Sequence, residues 1–195
     1  MIRFFDVILS IGAILVLLPL AIIICIWIVL DTHAFPFFKQ TRVGLNGKEF
    51  NLLKFRSMSP NAQNHGPLTI GERDSRITKS GYYLRKYKLD EIPQFWNVLK
   101  GEMSIVGPRP ELPYFVSLYS VSQREILKIK PGLTDEASIY YKNESQLLAE
   151  AINPEVYFLQ NIVPHKIALN QIYLQNPSVL NYFRIIFKTI RHLLF

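Results

Sequence analysis

The sequence is poor in cysteine and in the short motifs that mark several enzyme classes. Cys25 is the single cysteine among 195 residues. A disulfide framework or a cysteine-based zinc site within the chain is therefore excluded, and a reducing, cytoplasmic setting is expected. The sequence also has no P-loop, no G-x-G-x-x-G fingerprint, no Asp-x-Asp pair and no G-x-S-x-G elbow. These absences narrow the classes of enzyme that the chain could represent.

Acidic residues are scarce relative to basic ones. The chain has 15 Asp and Glu against 22 Lys and Arg, a net charge of +7, and 49% hydrophobic residues. Its mean hydropathy of +0.15 is high for a soluble protein of this length. A basic, apolar chain suits an anionic membrane surface or a phosphorylated substrate, whereas nucleic-acid binding would not explain the apolar excess. We therefore expect contact with a lipid bilayer and no nucleic-acid partner.

An uncharged apolar run extends from Val7 to Leu30. A straight helix of this length would measure about 36 Å, enough to cross the core of a bilayer. Pro19 lies in the middle and must kink or break such a helix, which permits either a kinked span or a re-entrant hairpin that enters and leaves by one face. The run is too long for the core of a signal peptide. We expect residues 1–33 to be membrane-embedded and residues 34–195 to form a cytoplasmic, membrane-associated domain, because both flanks of the run are basic.

A β-hairpin is predicted directly after the apolar run. Residues 36–42 and 48–58 have strand character and are joined through Asn46-Gly47, a strong hairpin signal. Alternation along the second strand places Lys54 and Arg56 on the same face. Two neighbouring cations would suit a phosphate, and the alternative is an exposed basic edge strand that discourages aggregation.

The central stretch from residue 84 to residue 110 sets an acidic pair, Asp90-Glu91, between groups of basic residues. Asp90 is a favourable N-cap, Pro93 is tolerated in a first helical turn, and Gly101 is a typical C-terminal stop, so a helix is predicted over residues 90–100. A phosphate and two carboxylates would compete at its positive end unless cations bring them together. A divalent metal and Arg109 could do so. The alternative is a capped surface helix followed by a proline-rich turn.

Arg109 is set between two prolines, Pro108 and Pro110. Proline fixes its own φ and pushes the preceding residue to extended conformations, so the guanidinium is presented from a stiff backbone. The planar fork of arginine suits phosphate. Arg109 is therefore a candidate phosphate-binding residue.

Two further segments carry polar signals. Residues 59–77 are rich in Asn, Pro and Gly and predict a long loop of the kind that often serves as a lid or binding loop. His65 in this loop is predicted to be exposed to solvent, since no second His or Cys lies nearby. The second acidic pair, Asp135-Glu136, has no arginine nearby in the sequence and is predicted to be a loop or a helix start.

Helical patterns dominate the remaining sequence. Helices are predicted over residues 78–89, 112–128, 144–151 and 153–175. The C-terminal helix places Leu180, Phe183, Phe187, Ile190 and Leu194 on one face and Arg184, Lys188 and Arg191 on the other. This pattern is typical of a helix at a membrane interface, although a helix packed on the domain core would look alike. The predicted fold class is α+β, mostly helical, with a small β-hairpin and interfacial amphipathic helices around the cytoplasmic domain.

Taken together, these residues resemble the monotopic phosphoglycosyl transferases, the bacterial sugar transferase family that starts glycoconjugate assembly on a polyprenol phosphate. The resemblance is carried by the apolar segment with its central proline, by KFRSM at 54–58, by DSRITKSGYYLRKYKLDEIPQFWNVLKGEMSIVGPRP from Asp74, and by KPGLT at 130–134. It implies transfer of a phosphosugar from a nucleoside diphosphate sugar, usually a UDP-sugar, to polyprenol phosphate. The products would be a polyprenyl diphosphate sugar and UMP.

The resemblance also implies roles for individual residues. Asp90 would be the nucleophile that forms a covalent aspartyl phosphosugar, and Glu91 would assist as metal ligand or general base. Arg109, with Lys54 and Arg85, would hold phosphate charge, and Mg²⁺ would neutralise the facing anions at Asp90 and Glu91. The family further implies a re-entrant helix broken at the proline, on the cytoplasmic face of the inner membrane. The alternative function is a non-catalytic, membrane-anchored scaffold. The oligomeric state is left open, with a homodimer among the alternatives.

Overall fold

A computed structural model describes residues 1–60, 62, 66–71 and 74–194 of the chain. Helices α1 to α9 are Ile2–Thr32, Lys79–Lys86, Gln94–Lys100, Pro113–Ser117, Glu136–Tyr140, Glu144–Glu150, Pro154–Tyr157, Val163–Gln175 and Val179–Leu194. Strands β1 to β4 are Phe37–Val43, Glu49–Phe55, Ser104–Val106 and Gly132–Thr134. The mostly helical class with little sheet is confirmed. His65 and the side chain of Leu194 lie outside the described part of the chain.

The predicted hairpin is confirmed. Strands β1 and β2 pair antiparallel, from Val43 opposite Glu49 to Phe37 opposite Phe55. Asn46 in the turn has a φ of 55° and Gly47 a φ of 78°, the left-handed conformations that an Asn-Gly pair adopts readily. The second strand ends at Phe55, three residues earlier than predicted.

A second, parallel sheet was missed by the sequence analysis. Strands β3 and β4 place Ser104 opposite Gly132 and Val106 opposite Thr134. Their backbones approach so closely that a Cβ atom on Gly132 would lie 2.1 Å from the backbone nitrogen of Gly107. Each strand has only three residues, too few for an alternating pattern to show. The sheet fixes the chain immediately before Arg109.

Helix α1 is fastened to the rest of the chain near both of its ends. Asp6 accepts hydrogen bonds from Tyr182 Oη and Ser104 Oγ, each at 2.9 Å. Asp31 accepts from the backbone N–H and the Oγ of Ser80, at 2.8 and 2.7 Å. Most of the large apolar side chains between these two anchors are exposed. By length and composition, α1 could cross a membrane.

Two predicted helices have different boundaries in the structure. A 3₁₀ turn at Leu89–Glu91 precedes α3, which begins at Gln94, so Asp90 is not the N-cap of a helix over residues 90–100. The predicted helix over residues 112–128 is broken into α4 and a 3₁₀ segment, Gln123–Lys128. Between them, the backbone N–H of Ser120 donates to Gln123 Oε1 at 2.8 Å. Such local side-chain bonds compete with a continuous helix.

The other helix predictions agree with the structure. Thr78 caps α2, because its Oγ1 accepts from the N–H of Gly81 at 3.0 Å. Helices α7 and α8 are joined by a π turn, Phe158–Ile162, and together with α6 they occupy the two helical segments predicted between residues 144 and 175. In α9, Tyr182 and Ile185 are buried, while the described residues of the predicted apolar face, Leu180, Phe183, Phe187 and Ile190, are exposed.

Candidate active site

A cleft of about 840 Å³ opens beside the hairpin and the α2–α3 connection. The basic residues at this end of its lining include Lys54, Arg56, Arg85, Lys88 and Arg109. The acidic pair Asp90-Glu91 does not contribute to the lining of the described cleft, but Glu91 pairs with two of the lining cations, Lys54 and Arg109. The five basic residues and the acidic pair therefore belong to one neighbourhood, as the sequence predicted for all of them except Lys88.

Glu91 is held by two of the predicted cations. Arg109 donates to both of its carboxylate oxygens, through Nη2 to Oε1 and through Nη1 to Oε2 at 3.2 Å. Lys54 Nζ lies 3.4 Å from Oε1. Burial alone would raise the pKa of the Glu91 carboxyl, but Arg109 and Lys54 outweigh it and hold that pKa well below its usual range. Glu91 is therefore ionised, and it fixes the guanidinium plane of Arg109.

Asp90 has a different environment from its neighbour. Its residue exposure is only 4%, and no described side chain or backbone group donates a hydrogen bond to its carboxylate. Burial raises the pKa of the Asp90 carboxyl, and Lys54 acts against that rise. The pKa values of the two adjacent carboxyls are thus shifted in opposite directions, upward for Asp90 and downward for Glu91. Such divergence is characteristic of paired groups with separate roles.

Lys54 is largely shielded from solvent and Lys88 is exposed, and the basicity of both cations is altered. Burial lowers the pKa of Lys54 to about 8, against the opposing effect of Glu91. Partial desolvation in the cleft, together with the charge of Arg109, lowers the pKa of Lys88. Lys88 adopts a φ of 57°, a conformation uncommon outside glycine and asparagine, at the turn that joins α2 to Asp90. Its backbone strain and its place in the cleft make Lys88 a site residue that the sequence analysis did not select.

Arg56 and Arg85 take part less directly. Arg56 lines the cleft, and its Nε donates to the backbone oxygen of Phe35 at 2.7 Å. Arg85 is close enough to Asp90 to lower the pKa of that carboxyl. Neither arginine forms an ion pair with the acidic pair in the described part of the chain. Both remain available to an anion in the cleft.

Asp135 supports the backbone of Arg109. It caps α5 by accepting from the N–H of Ser138 at 2.6 Å, which confirms the predicted helix start. Its other oxygen accepts from the backbone N–H of Arg109 at 3.3 Å and from Asn170 Nδ2 at 2.5 Å. The sequence analysis missed this link, because the residues involved are far apart in the chain.

A buried ion-pair network lines a neighbouring part of the cleft and was also missed. Lys166 Nζ lies 2.6 Å from Glu144 and 3.2 Å from Glu111. Arg42 lies 3.6 Å from Glu111 and donates to the backbone oxygen of Pro110 at 3.0 Å. With two cations and two carboxylates, the network carries no net charge. It fixes the chain on the C-terminal side of Arg109.

The donor set limits how a metal would bind. Among the described residues, no group of three or more His, Cys, Asp or Glu side chains is arranged to hold a metal ion. The acidic pair supplies two carboxylates. Mg²⁺ is commonly held by one or two carboxylates together with substrate phosphates and water. Asp90 and Glu91 therefore fit Mg²⁺ only as ligands shared with a bound phosphate.

Comparisons with known proteins connect this site to a family. The family model for bacterial sugar transferases matches residues 1–195. The chain is 34% identical to the UDP-N-acetylgalactosamine-undecaprenyl-phosphate N-acetylgalactosaminephosphotransferase of Aeromonas hydrophila over 82% of its own length and 39% of that protein. It is 34% identical to the UDP-galactose-lipid carrier transferase of Erwinia amylovora over 96% of its own length and 39% of that protein.

A third relative is closer in size. The chain is 32% identical to the exopolysaccharide production protein ExoY of Sinorhizobium fredii over 96% of its own length and 83% of that protein. The chain thus spans well under half of the Aeromonas and Erwinia relatives but most of the Sinorhizobium one.

Proposed function

The chain belongs to the bacterial sugar transferase family, and on that premise we propose that it transfers a phosphosugar from a nucleoside diphosphate sugar to a membrane polyprenol phosphate. The donor is a UDP-sugar, and the products are UMP and a polyprenyl diphosphate sugar, formed at the first membrane step of glycoconjugate assembly. The names of the Aeromonas and Erwinia relatives support this reaction. The observation that carries the proposal is the buried Asp90 carboxylate, which accepts no hydrogen bond from the described residues and lies among cations.

In the first half-reaction, an oxygen of Asp90 attacks the phosphorus that bears the sugar. The bond from that phosphorus to the bridging oxygen breaks, and UMP leaves with the electron pair. Asp90 then carries the phosphosugar as an acyl phosphate. A carboxylate attacks a phosphoanion poorly because both are negative, so the catalytic work is charge neutralisation and alignment.

In the second half-reaction, a phosphate oxygen of the polyprenol phosphate attacks the same phosphorus. The bond to Asp90 breaks, the carboxylate is restored, and the polyprenyl diphosphate sugar is released. Both half-reactions place negative charge between Asp90 and the cations of the cleft. In both displacements an anionic nucleophile attacks the same negatively charged phosphate group. Cations from several segments of the chain are therefore needed around Asp90.

The cations of the cleft have different roles in charge neutralisation, according to their geometry. Arg109 presents a planar fork that Glu91 already orients, as suits binding of phosphate oxygens. Lys54, Arg85 and Lys88 lie close enough to Asp90 to act on its pKa, and so supply positive charge at the attacking group. Mg²⁺, held by Asp90 and Glu91 together with the donor diphosphate, would supply further charge neutralisation.

The anchoring of α1 supports a re-entrant topology. A span would place its two ends on opposite sides of a bilayer core about 30 Å thick. Asp6 and Asp31 instead bond to residues of the same domain. Pro19 lies inside α1, where it removes a backbone hydrogen bond. We propose that α1 enters and leaves the inner membrane on the cytoplasmic side, and that the exposed apolar side chains of α9 rest at the interface.

The reaction is tested with the purified 195-residue chain and single UDP-sugars. We expect UMP release and a phosphosugar adduct on Asp90 by mass spectrometry. Asp90→Asn should abolish both, while Glu125→Gln, which alters an exposed carboxylate paired with Lys128, should leave them unchanged. A scaffold without catalytic activity would release no UMP from any UDP-sugar. An adduct on another side chain would refute the assignment of the nucleophile.

Topology is tested by single-cysteine labelling. After replacement of Cys25 by serine, cysteines are introduced at Ile2 and His33 and exposed to a membrane-impermeant maleimide in inverted and right-side-out vesicles. A re-entrant helix predicts that both positions react in the same vesicle orientation. Labelling in opposite orientations would show a span.

A further inference from the structure

Three buried polar residues form one stripe along the helical segment that carries the acidic pair. Asp90, Gln94 and Asn97 are spaced by four and three residues, and their exposures are 4%, 1% and 1%. The 3₁₀ turn at Asp90 continues into α3 through helical dihedrals at Ile92 and Pro93. Residues at these spacings lie on one face of a helix.

This stripe faces β2. At one end, Asn97 Oδ1 accepts from the N–H of Leu53 at 2.9 Å, and its Nδ2 donates to the backbone oxygen of Asn51 at 2.8 Å. At the other end lies Lys54, the residue that follows Leu53 in β2. The charge of Lys54 lowers the pKa of the Asp90 carboxyl. Gln94 therefore lies between a fully bonded amide and the carboxylate assigned as the nucleophile.

The amide of Gln94 is incompletely bonded. Its Nε2 is buried, and it has no hydrogen-bond partner among the described residues. A buried donor without a partner destabilises a fold, so such groups are rare in native proteins and call for an explanation. The Asp90 carboxylate, one helical turn away, likewise accepts no hydrogen bond from the described residues. The Gln94 amide donor and the Asp90 carboxylate acceptor, both without a partner among the described residues, thus lie on the same stripe.

We propose that Gln94 is a positioning residue for Asp90, and that its side-chain amide donates to the carboxylate oxygen that does not attack phosphorus. The bond forms by rotation of the two side chains and leaves the other oxygen free to attack phosphorus. In the acyl phosphate, the same oxygen is the carbonyl oxygen and still accepts the bond. Holding the attacking oxygen in line with the scissile bond is the kind of alignment that speeds a displacement. This inference rests on the proposed nucleophile.

The test is Gln94→Met, which keeps the length of the side chain and removes the amide. We expect single-turnover formation of the Asp90 adduct to slow by about ten- to a hundredfold, as for loss of a hydrogen bond to a charged group. The Kd for the UDP-sugar and the Tm should stay near the wild-type values, because methionine fills the space of Gln94 and Asn97 keeps its bonds to β2. Gln175→Met, at an exposed position of α8, is the matched control and should form adduct at the wild-type rate.

The outcomes separate this inference from the proposed function. If Gln94→Met forms the adduct at the wild-type rate while Asp90→Asn is inactive, the positioning role is wrong and the nucleophile stands. If adduct formation and Tm fall together, Gln94 is a structural residue only, and Gln94→Leu should repeat that result. If the wild-type protein forms no adduct while product accumulates, both the nucleophile and its positioning residue are refuted.

Discussion

Removal of Arg109 tests how the site combines catalysis with stability. Arg109→Ala should lower kcat/KM by at least about 10²-fold, the usual effect of losing a group that stabilises charge in the transition state. It also leaves the buried carboxylate of Glu91 without its bidentate partner. Breaking a buried ion pair costs about 3–5 kcal/mol. Because 32% of the Arg109 side chain is exposed, we expect a smaller loss of about 1–3 kcal/mol, or roughly 2–12 °C in Tm.

A double variant separates the two effects. Glu91→Gln removes the buried charge, so adding it to Arg109→Ala should recover most of the lost Tm without recovering activity. Arg109→Lys keeps the charge but not the planar fork, and it should be intermediate in kcat/KM. UMP release under initial-rate conditions and thermal unfolding in the same detergent provide the two measurements. Wild-type kcat/KM in Arg109→Ala, or a double variant no more stable than Arg109→Ala, would refute the two roles assigned to Arg109.

Three further predictions follow from the site and the second sheet. Burial lowers the pKa of Lys54 to about 8, so this side chain loses its positive charge as the pH rises through that value. The kcat/KM should therefore decline above pH 8, and Lys54→Arg should move the decline to higher pH. Burial raises the pKa of Asp90, so its ionised carboxylate destabilises the folded state above that raised pKa but not at acid pH. Asp90→Asn should therefore raise the Tm near neutral pH, by about 2–4 °C if the effect is about 1 kcal/mol. This gain in Tm should vanish on acidification. Gly132→Ala would place a Cβ atom 2.1 Å from the backbone nitrogen of Gly107. It should therefore lower the free energy of unfolding in denaturant by about 3 kcal/mol or more. An unfolding midpoint equal to that of the wild type would contradict this expectation.

The parts of the fold predicted correctly depend on local signals. Asn46-Gly47 specifies its hairpin through left-handed dihedrals, and Thr78 starts α2 with its own side chain. The pairing of Arg109 with the acidic stretch was expected because clustered opposite charges and flanking prolines are visible in the sequence. These features need only a few neighbouring residues.

The parts that were missed depend on contacts between distant residues. The start of α3 was misplaced because residues 89–91 form a separate 3₁₀ turn, in which Asp90 is buried and does not cap the helix. The parallel sheet joins strands of three residues across an intervening segment, and Asp135 reaches Arg109 across 26 positions. Lys166 joins its partner Glu111 across 55 positions. No periodicity or local propensity encodes such pairings.

The bond between Asp6 and Tyr182 imposes an order on biosynthesis. The two residues are 176 positions apart, so at about 5–20 residues per second the first is synthesised roughly 9 to 35 s before the second. During that interval the amino-terminal anchor of α1 can form only in part, through the bonds from Ser104 and Ile105 to Asp6. The anchor is therefore completed only when the last helix is made, and a chain cut short before that helix would keep the bond from Ser104 to Asp6 but lose the one from Tyr182.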